Sequence, residues 1–189
     1  MANQDAAFGL KPLGKIGASP DNNAATEYEV AACASAFSQN DLMKVINTGT
    51  VGIAAASDNG ALIGSAQGVF FTDATTSKPT FANHLKGSNT ATDIKGFVSD
   101  DPYERFEIQS DENTAAADVG LNADIVYASG ATPNFVSKVE LDHSDLKTAT
   151  AQLRVLGISK DIENNEAGSA NVNLVVMINE HFLKGTVGI

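Results

Sequence analysis

From residue 28 onward, the chain consists of short apolar stretches separated by turn-forming residues. Each stretch has the length of a β-strand, and the interruptions are rich in Gly, Asn, Asp and Pro. Strands at this spacing are typical of β-sandwiches and β-barrels, so the pattern predicts an all-β domain with a sandwich or barrel-like architecture. The predicted strands cover residues 28–34, 42–46, 51–55, 61–72, 94–99, 105–109, 123–128, 135–141, 151–158 and 171–179.

Local signals add detail to this prediction. Asn59-Gly60 lies between two apolar runs, which is a strong signal for a β-hairpin. Residues 105–109 alternate in polarity, which places Phe106 and Ile108 on the same face of a strand. Helical signals are weak, and they predict one or two short helices, at residues 115–119 and 142–147.

Residues 1–27 differ from the rest because their apolar residues follow neither a helical nor a strand period. The segment cannot form a core of its own, and one interpretation is a disordered tail. We favour an extended N-terminal arm that binds a neighbouring subunit, because disordered tails are usually poor in apolar anchors. The predicted anchors are Phe8, Leu10, Leu13 and Ile16. The chain is thereby divided into an arm, residues 1–27, and a single β-rich domain, residues 28–189.

Residues 72–93 form a long polar stretch inside the predicted domain. A loop of this length is uncommon in a compact domain and is often a binding loop. We therefore expect a surface loop whose contact residues are Pro79, Phe81, His84 and Leu85.

The charge balance narrows the classes of partner. The 189 residues include 23 acidic and 12 basic side chains, and the formal net charge is −11. The basic residues are scattered singly, whereas proteins that bind nucleic acid or acidic membranes cluster Lys and Arg. We therefore expect neither a nucleic acid nor a membrane as a partner. The sequence shows no signal peptide and no apolar stretch of about 20 residues, so we expect synthesis in a cytoplasm.

Motifs for catalysis and cofactor binding are missing from the sequence. There is no P-loop, no Rossmann glycine pattern and no Gly-x-Ser-x-Gly elbow. With three distant histidines and one cysteine, Cys33, the sequence lacks the ligand spacing of a zinc site. We interpret Cys33 as a small buried residue, since a cysteine nucleophile would need a base folded beside it.

Two polar clusters are interpreted as turns. Asp142-His143-Ser144-Asp145 contains the residue types of a hydrolytic triad, but neighbours in sequence seldom converge in triad geometry. Asp100-Asp101-Pro102-Tyr103-Glu104 places a proline at the second position of a turn. We therefore expect no catalytic, cofactor-binding or metal-binding residues, and no enzymatic activity.

Several motifs resemble a family of small virion structural proteins of tailed bacteriophages, known from marine and aquatic phages. The most specific is Asp100-Asp101-Pro102-Tyr103-Glu104-Arg105-Phe106-Glu107-Ile108-Gln109. The others occur in the same order along nearly the whole chain, at residues 6–17, 26–30, 68–73, 78–80 and 176–181.

The resemblance implies a head decoration or cement protein on the outer capsid surface of the virion, made in the cytoplasm of the host bacterium. Its expected partner is the major capsid protein, and its expected action is to bridge neighbouring capsomers and stabilise the shell. Because open strand edges favour symmetric association, we also expect a homo-oligomer, either a dimer or a trimer. The alternatives are a head–tail connector or tail component, a carbohydrate-binding surface domain, and an enzyme such as a lysin or protease.

Overall fold

The computed structural model describes residues 2–17, 24–32, 35–58, 60–128, 130 and 133–185. These residues contain thirteen β-strands and three one-turn 3-10 helices, so the predicted all-β class is confirmed. The strands are β1 Lys11–Lys15, β2 Thr26–Glu29, β3 Leu42–Val45, β4 Val51–Ile53, β5 Leu62–Thr72, β6 Pro79–Ala82, β7 Lys95–Ser99, β8 Glu104–Gln109, β9 Asn122–Ala123, β10 Ile125–Val126, β11 Glu140–Leu141, β12 Leu153–Ile158 and β13 Asn173–Ile178.

The 3-10 helices span Ala116–Asp118, His143–Asp145 and Phe182–Lys184. The first two lie where the sequence predicts short helical turns. None of the helices in the described part of the chain has the length and apolar character needed to cross a bilayer.

The first sheet has five strands in the order β1-β8-β13-β12-β9, and each neighbouring pair is antiparallel. The register places Phe106 of β8 opposite Val176 of β13, and Ile108 opposite Leu174. All four side chains are at most 1% exposed, so this face of the sheet lies against a core. The predicted alternation along residues 105–109 is therefore confirmed.

The second sheet is arranged around the long strand β5. Its strand order is β2-β7-β5-β3-β4, and β6 also pairs with β5. β3 and β6 share one edge of β5, β3 along its first half and β6 along its second half, while β7 occupies the other edge. Val30, just after β2, bridges Val51 of β4, so the two ends of the sheet meet and the sheet curls into a barrel-like shape.

Two hydrophobic cores result, and β3 and β5 contribute to both. Leu42 and Leu62 belong to the core beneath the first sheet, whereas their neighbours Met43 and Ile63 belong to the core enclosed by the second sheet. Adjacent residues of a strand point to opposite faces, so each of these strands forms a wall shared by the two cores.

The N-terminal segment is part of the body, and the predicted arm boundary at residue 27 is wrong for the described residues. β1 is the edge strand of the first sheet, and Leu10 is 0% exposed in the first core. The Leu10 N–H donates to the carbonyl of Asn40 (2.8 Å), and its carbonyl accepts from the Ser65 hydroxyl (2.6 Å). The segment packs against the body because its backbone forms these hydrogen bonds and the Leu10 side chain is buried in the core. The periodicity of the sequence does not reveal either interaction. Residues 1 and 18–23 of the predicted arm lie outside the described residues.

The polar stretch at residues 72–93 is more ordered than a long loop. It contains β6, which forms a hairpin with β5 and pairs Phe81 with Phe70. Beyond it, Leu85 exchanges backbone hydrogen bonds with Phe37 and is 1% exposed. The stretch is therefore held at two points, by the pairing with β5 and by the hydrogen bonds of Leu85.

The hairpin predicted at Asn59-Gly60 is not formed. β4 and β5 do not pair with each other, because β3 lies between them and pairs with both. The segment that joins them is anchored to the first sheet, where Gln152 donates its side-chain amide to the carbonyls of Ala55 (2.9 Å) and Asp58 (3.2 Å). Asn59 and Cys33 lie outside the described residues.

Candidate protein-binding face

Three phenylalanine rings form a cluster on the outer face of the second sheet, with Phe81 exposed and the other two half-buried, and we call this cluster the aromatic face. Its members are Phe70 of β5, Phe81 of β6 and Phe97 of β7. The ring centroids of Phe70 and Phe81 lie 4.8 Å apart, and those of Phe81 and Phe97 lie 6.3 Å apart. Phe81 is 73% exposed, which is unusual for so large an apolar side chain held on a strand.

Strand alternation explains why these rings point outward. Val69 and Val98 point into the second core, so their sequence neighbours Phe70 and Phe97 lie on the opposite face. The register then places Phe81 directly opposite Phe70 across the β5–β6 pair. The aromatic face is thus built on paired strands and its side-chain directions are set by the sheet.

A glycine creates an open pocket of about 410 Å³ beside these rings. Gly68 pairs with Phe97, and the pocket above it is lined by Phe81, Phe97, Gln67 and Asn83, among others. A Cβ at Gly68 would lie 3.3 Å from the carbonyl of Ala82 and 4.0 Å from the Phe97 ring. A side chain here would therefore fill the floor of the pocket.

The pocket continues towards the first sheet. Gln67 also lines a polar groove of about 380 Å³, together with Lys11 and Pro12 of β1 and Gln39. The amide nitrogen of Gln67 donates to the Ser65 hydroxyl at 3.0 Å, which holds this side chain at the junction of the two cavities. The aromatic face is therefore bordered by amide groups on the side nearest β1.

Charged residues border the aromatic face on the opposite side. Glu27 pairs with Phe97 and Glu29 pairs with Lys95 across β2 and β7, so their side chains lie on the face that carries the rings. The Lys95 ammonium contacts Glu29 and lies 3.2 Å from Glu27. Hydrogen bonds from Glu29 and then Glu27 raise the pKa of Lys95 above its usual value. Two carboxylates thus share one cation, which leaves this border with a net negative charge.

The residues predicted as arm anchors separate into two groups. Leu10 is fully buried and Phe8 is half-buried, whereas Leu13 and Ile16 are 42% and 46% exposed. Ile16 donates its backbone N–H to the carbonyl of Tyr103 (3.0 Å), so its side chain is presented from the body of the protein. Leu13 lies on β1, and Ile16 lies just after it.

The residues predicted as a contact loop are also divided. Pro79 and Phe81 lie on β6 and are exposed, and Phe81 belongs to the aromatic face. His84 stacks on Phe135 with centroids 3.7 Å apart, and burial, followed by Lys86, lowers its pKa. Leu85 is buried in the second core and is not available for contacts.

Sequence reasoning missed Phe70 and Phe97 as surface residues. The available signal was the pair Phe70-Phe71, because two adjacent aromatic residues on one strand must point to opposite faces. Phe71 packs against the second core, which leaves Phe70 outside.

The cluster Asp142-His143-Ser144-Asp145 forms a turn, as predicted. The Ser144 hydroxyl donates to Asp142 (2.6 Å), whereas the His143 ring nitrogens lie 3.6 Å from Glu112 and 3.7 Å from Asp118. The serine and histidine are therefore not arranged as nucleophile and base. Across the described residues, no group of three or more His, Cys, Asp and Glu side chains has the geometry to hold a metal ion.

The acidic motif preceding β8 is a turn, also as predicted. Glu104 donates its N–H to the carbonyl of Asp101 (3.0 Å), with Pro102 at the second position. The Asp101 carboxylate accepts from the N–H of Tyr103 (2.8 Å) and pairs with Lys15 (2.8 Å). The ion pair links the turn to β1, so the role of this motif is structural.

Comparison of the chain with protein-family models, with curated proteins and with solved structures gave no match.

Proposed function

We propose that this chain is a non-enzymatic decoration or cement protein of a tailed-phage head. It binds the outer capsid surface, with the major capsid protein as its partner, and stabilises the shell by bridging neighbouring capsomers as a dimer or trimer. The resemblance of several motifs to virion structural proteins supports the virion assignment, and the aromatic face supports a role in protein binding.

The observation that carries the proposal is the exposure of Phe81 on a sheet. Burying an aromatic side chain removes about 150–250 Å² of surface, so covering Phe81 alone would contribute about 3 kcal/mol. Aromatic anchors of this kind dominate protein interfaces when neighbouring residues support them. Phe70 and Phe97 supply that support at centroid distances of 4.8 and 6.3 Å from Phe81.

A modest contact per copy is sufficient for a cement protein. When several copies or subunits attach together, each further contact becomes intramolecular and the overall avidity rises by orders of magnitude. The net charge of −11 keeps free copies soluble and disfavours binding to DNA.

Immunogold labelling of intact virions, combined with copy number from quantitative mass spectrometry, tests the assignment. A decoration protein is expected over the whole head, at hundreds of copies per particle. Label restricted to one vertex or to the tail, at about six to twelve copies, would instead identify a connector or tail component. Absence of the chain from virions would refute both virion roles.

Two matched variants test the role of the aromatic face in attachment. Phe81→Ser removes the central exposed ring, and Tyr103→Ser removes a ring that is 59% exposed elsewhere on the surface. We expect heads that lack the protein to bind the Tyr103→Ser variant as they bind the wild type, and to bind the Phe81→Ser variant much more weakly. Equal binding of both variants would show that attachment uses another surface.

A further inference from the structure

The surface around the pocket above Gly68 combines three features. The Phe81 and Phe97 rings beside it are nearly parallel, with an interplanar angle of 18°. The floor carries no side chain, because the central residue is glycine. Glu27 pairs with Phe97 across β2 and β7, so its carboxylate lies on the face that carries the rings, on the side of Phe97 away from Gly68.

The charges at this border favour an incoming cation. Glu27 and Glu29 are both more than half exposed, and Lys95 is the cation that they share. Lys95 contacts Glu29 directly and lies 3.2 Å from Glu27, so the Glu27 carboxylate can accept further hydrogen bonds from the solvent side. A cation placed over the rings would therefore find both aromatic faces and a carboxylate.

We propose that this pocket binds an arginine side chain of the partner protein. The guanidinium stacks on Phe81 and Phe97 and donates hydrogen bonds to Glu27. Arginine suits the pocket better than lysine because its planar group stacks on aromatic rings and its donors form a fork that matches a carboxylate. The inference builds on the proposed binding role of the aromatic face, and it adds the chemistry that the face recognises.

A second copy of this chain is a poor source for that arginine. The sequence contains only two arginines, Arg105 and Arg154. Arg105 donates its Nε–H to the carbonyl of Gly14 (3.1 Å), and Arg154 donates its Nε–H to the side chain of Asn122 (3.0 Å). Each is held by a hydrogen bond within its own chain, which favours an arginine of a different protein as the occupant.

The test uses the full-length protein and short peptides, and it requires no virion. The probe is acetyl-Gly-Arg-Gly-amide, and the matched control peptide carries citrulline, which keeps the planar shape but lacks the charge. In an NMR titration, we expect the arginine peptide to shift the resonances of Gly68, Phe81 and Phe97. We expect the citrulline peptide to bind about fivefold more weakly or not at all.

Variants of the charged border sharpen the test. Glu27→Gln should weaken binding of the arginine peptide by about fivefold, and Lys95→Met should strengthen it by removing the competing cation. Glu163→Gln changes an exposed glutamate elsewhere and should have no effect. The NMR spectrum of each variant also reports whether it is folded.

Equal shifts from the arginine and citrulline peptides, or no shifts at these residues, would overturn the proposal. Binding that is unchanged in Glu27→Gln would also overturn the assigned role of the carboxylate. If the arginine peptide did not bind but immunogold labelled the virion heads, the arginine pocket would be rejected and the capsid role would stand. If the arginine peptide bound specifically but immunogold did not label virions, the capsid role would be rejected and the arginine pocket would stand.

Discussion

Substitution of Leu10 by alanine distinguishes an N-terminal segment that is part of the core from an arm. Leu10 is 0% exposed, and a leucine-to-alanine change at such a site costs about 2–5 kcal/mol. Leu13 is 42% exposed, three residues further along, and loses the same atoms on substitution. At Leu13 we expect a cost below about 1 kcal/mol, as is usual for surface positions.

Thermal unfolding measures this difference directly. For a chain of this size, 1 kcal/mol corresponds to about 2–4 °C in Tm, so Leu10→Ala should lower Tm by about 4–20 °C. Circular dichroism can follow the transition, with tyrosine fluorescence as a second probe because the chain has no Trp. If both variants melted within about 1 °C of each other, Leu10 would not lie in the core and the segment would behave as an arm.

Three further predictions concern stability. Phe106→Ala should cost about 3–5 kcal/mol in urea unfolding, because Phe106 is 1% exposed; a loss below about 1 kcal/mol would contradict its burial. Gly64→Ala should prevent folding, because its Cβ would lie 1.9 Å from the Ser99 carbonyl oxygen. Gly157→Ala is the control and should fold normally, because its Cβ would meet nothing within 4 Å. Circular dichroism spectra of the two variants would show whether each is folded. Burial lowers the pKa of His181 to about 4, so its protonation favours the unfolded chain. The free energy of unfolding should therefore be highest above pH 6.5, and protonation of His181 should lower it by about 2 kcal/mol between pH 7 and pH 5. An equally steep pH dependence in the His181→Gln variant would exclude His181 as the cause.

The sequence predicted most strands because their apolar runs are continuous. The predictions at 42–46 and 61–72 match β3 and β5 to within a residue at each end. Their pattern is strong because β3 and the first half of β5 face a core on both sides, which makes most of their residues apolar or small.

Two strands were missed because they lie at sheet edges. β1 and β6 each contain a proline, and an edge strand tolerates proline because one side of its backbone needs no partner in the sheet. Their strand character comes from pairing with β8 and β5, which are distant or separated by polar residues in the sequence. Periodicity within a short segment carries no information about such partners.

One predicted strand is mostly irregular. Only Glu140–Leu141 is a strand within the predicted range 135–141. Phe135 adopts a φ of 50°, in the left-handed region, and stacks on His84. Ser137 then donates its N–H to the carbonyl of Gln39 (2.8 Å), so this segment follows a loop instead of a sheet. Tertiary contacts have overridden a pattern that is apolar but short.

The candidate site was predicted only in part for a related reason. Phe81 was identified because it lies in an otherwise polar stretch, where an aromatic residue stands out. Phe70 and Phe97 were assigned to strands, and deciding which face of a strand is covered requires knowing the neighbouring layers. Glu27 and Lys95 are adjacent only through the β2–β7 register, which the sequence does not reveal.

The wall shared by the two cores has a consequence for how the molecule opens. β3 and β5 present Leu42 and Leu62 to one side and Met43 and Ile63 to the other. Exposing the amides of these strands to exchange with solvent deuterium would require both cores to separate, whereas the outer strands can fray individually. The amides of β3 and β5 should therefore exchange as one cooperative unit, and they should be the slowest to exchange in the chain.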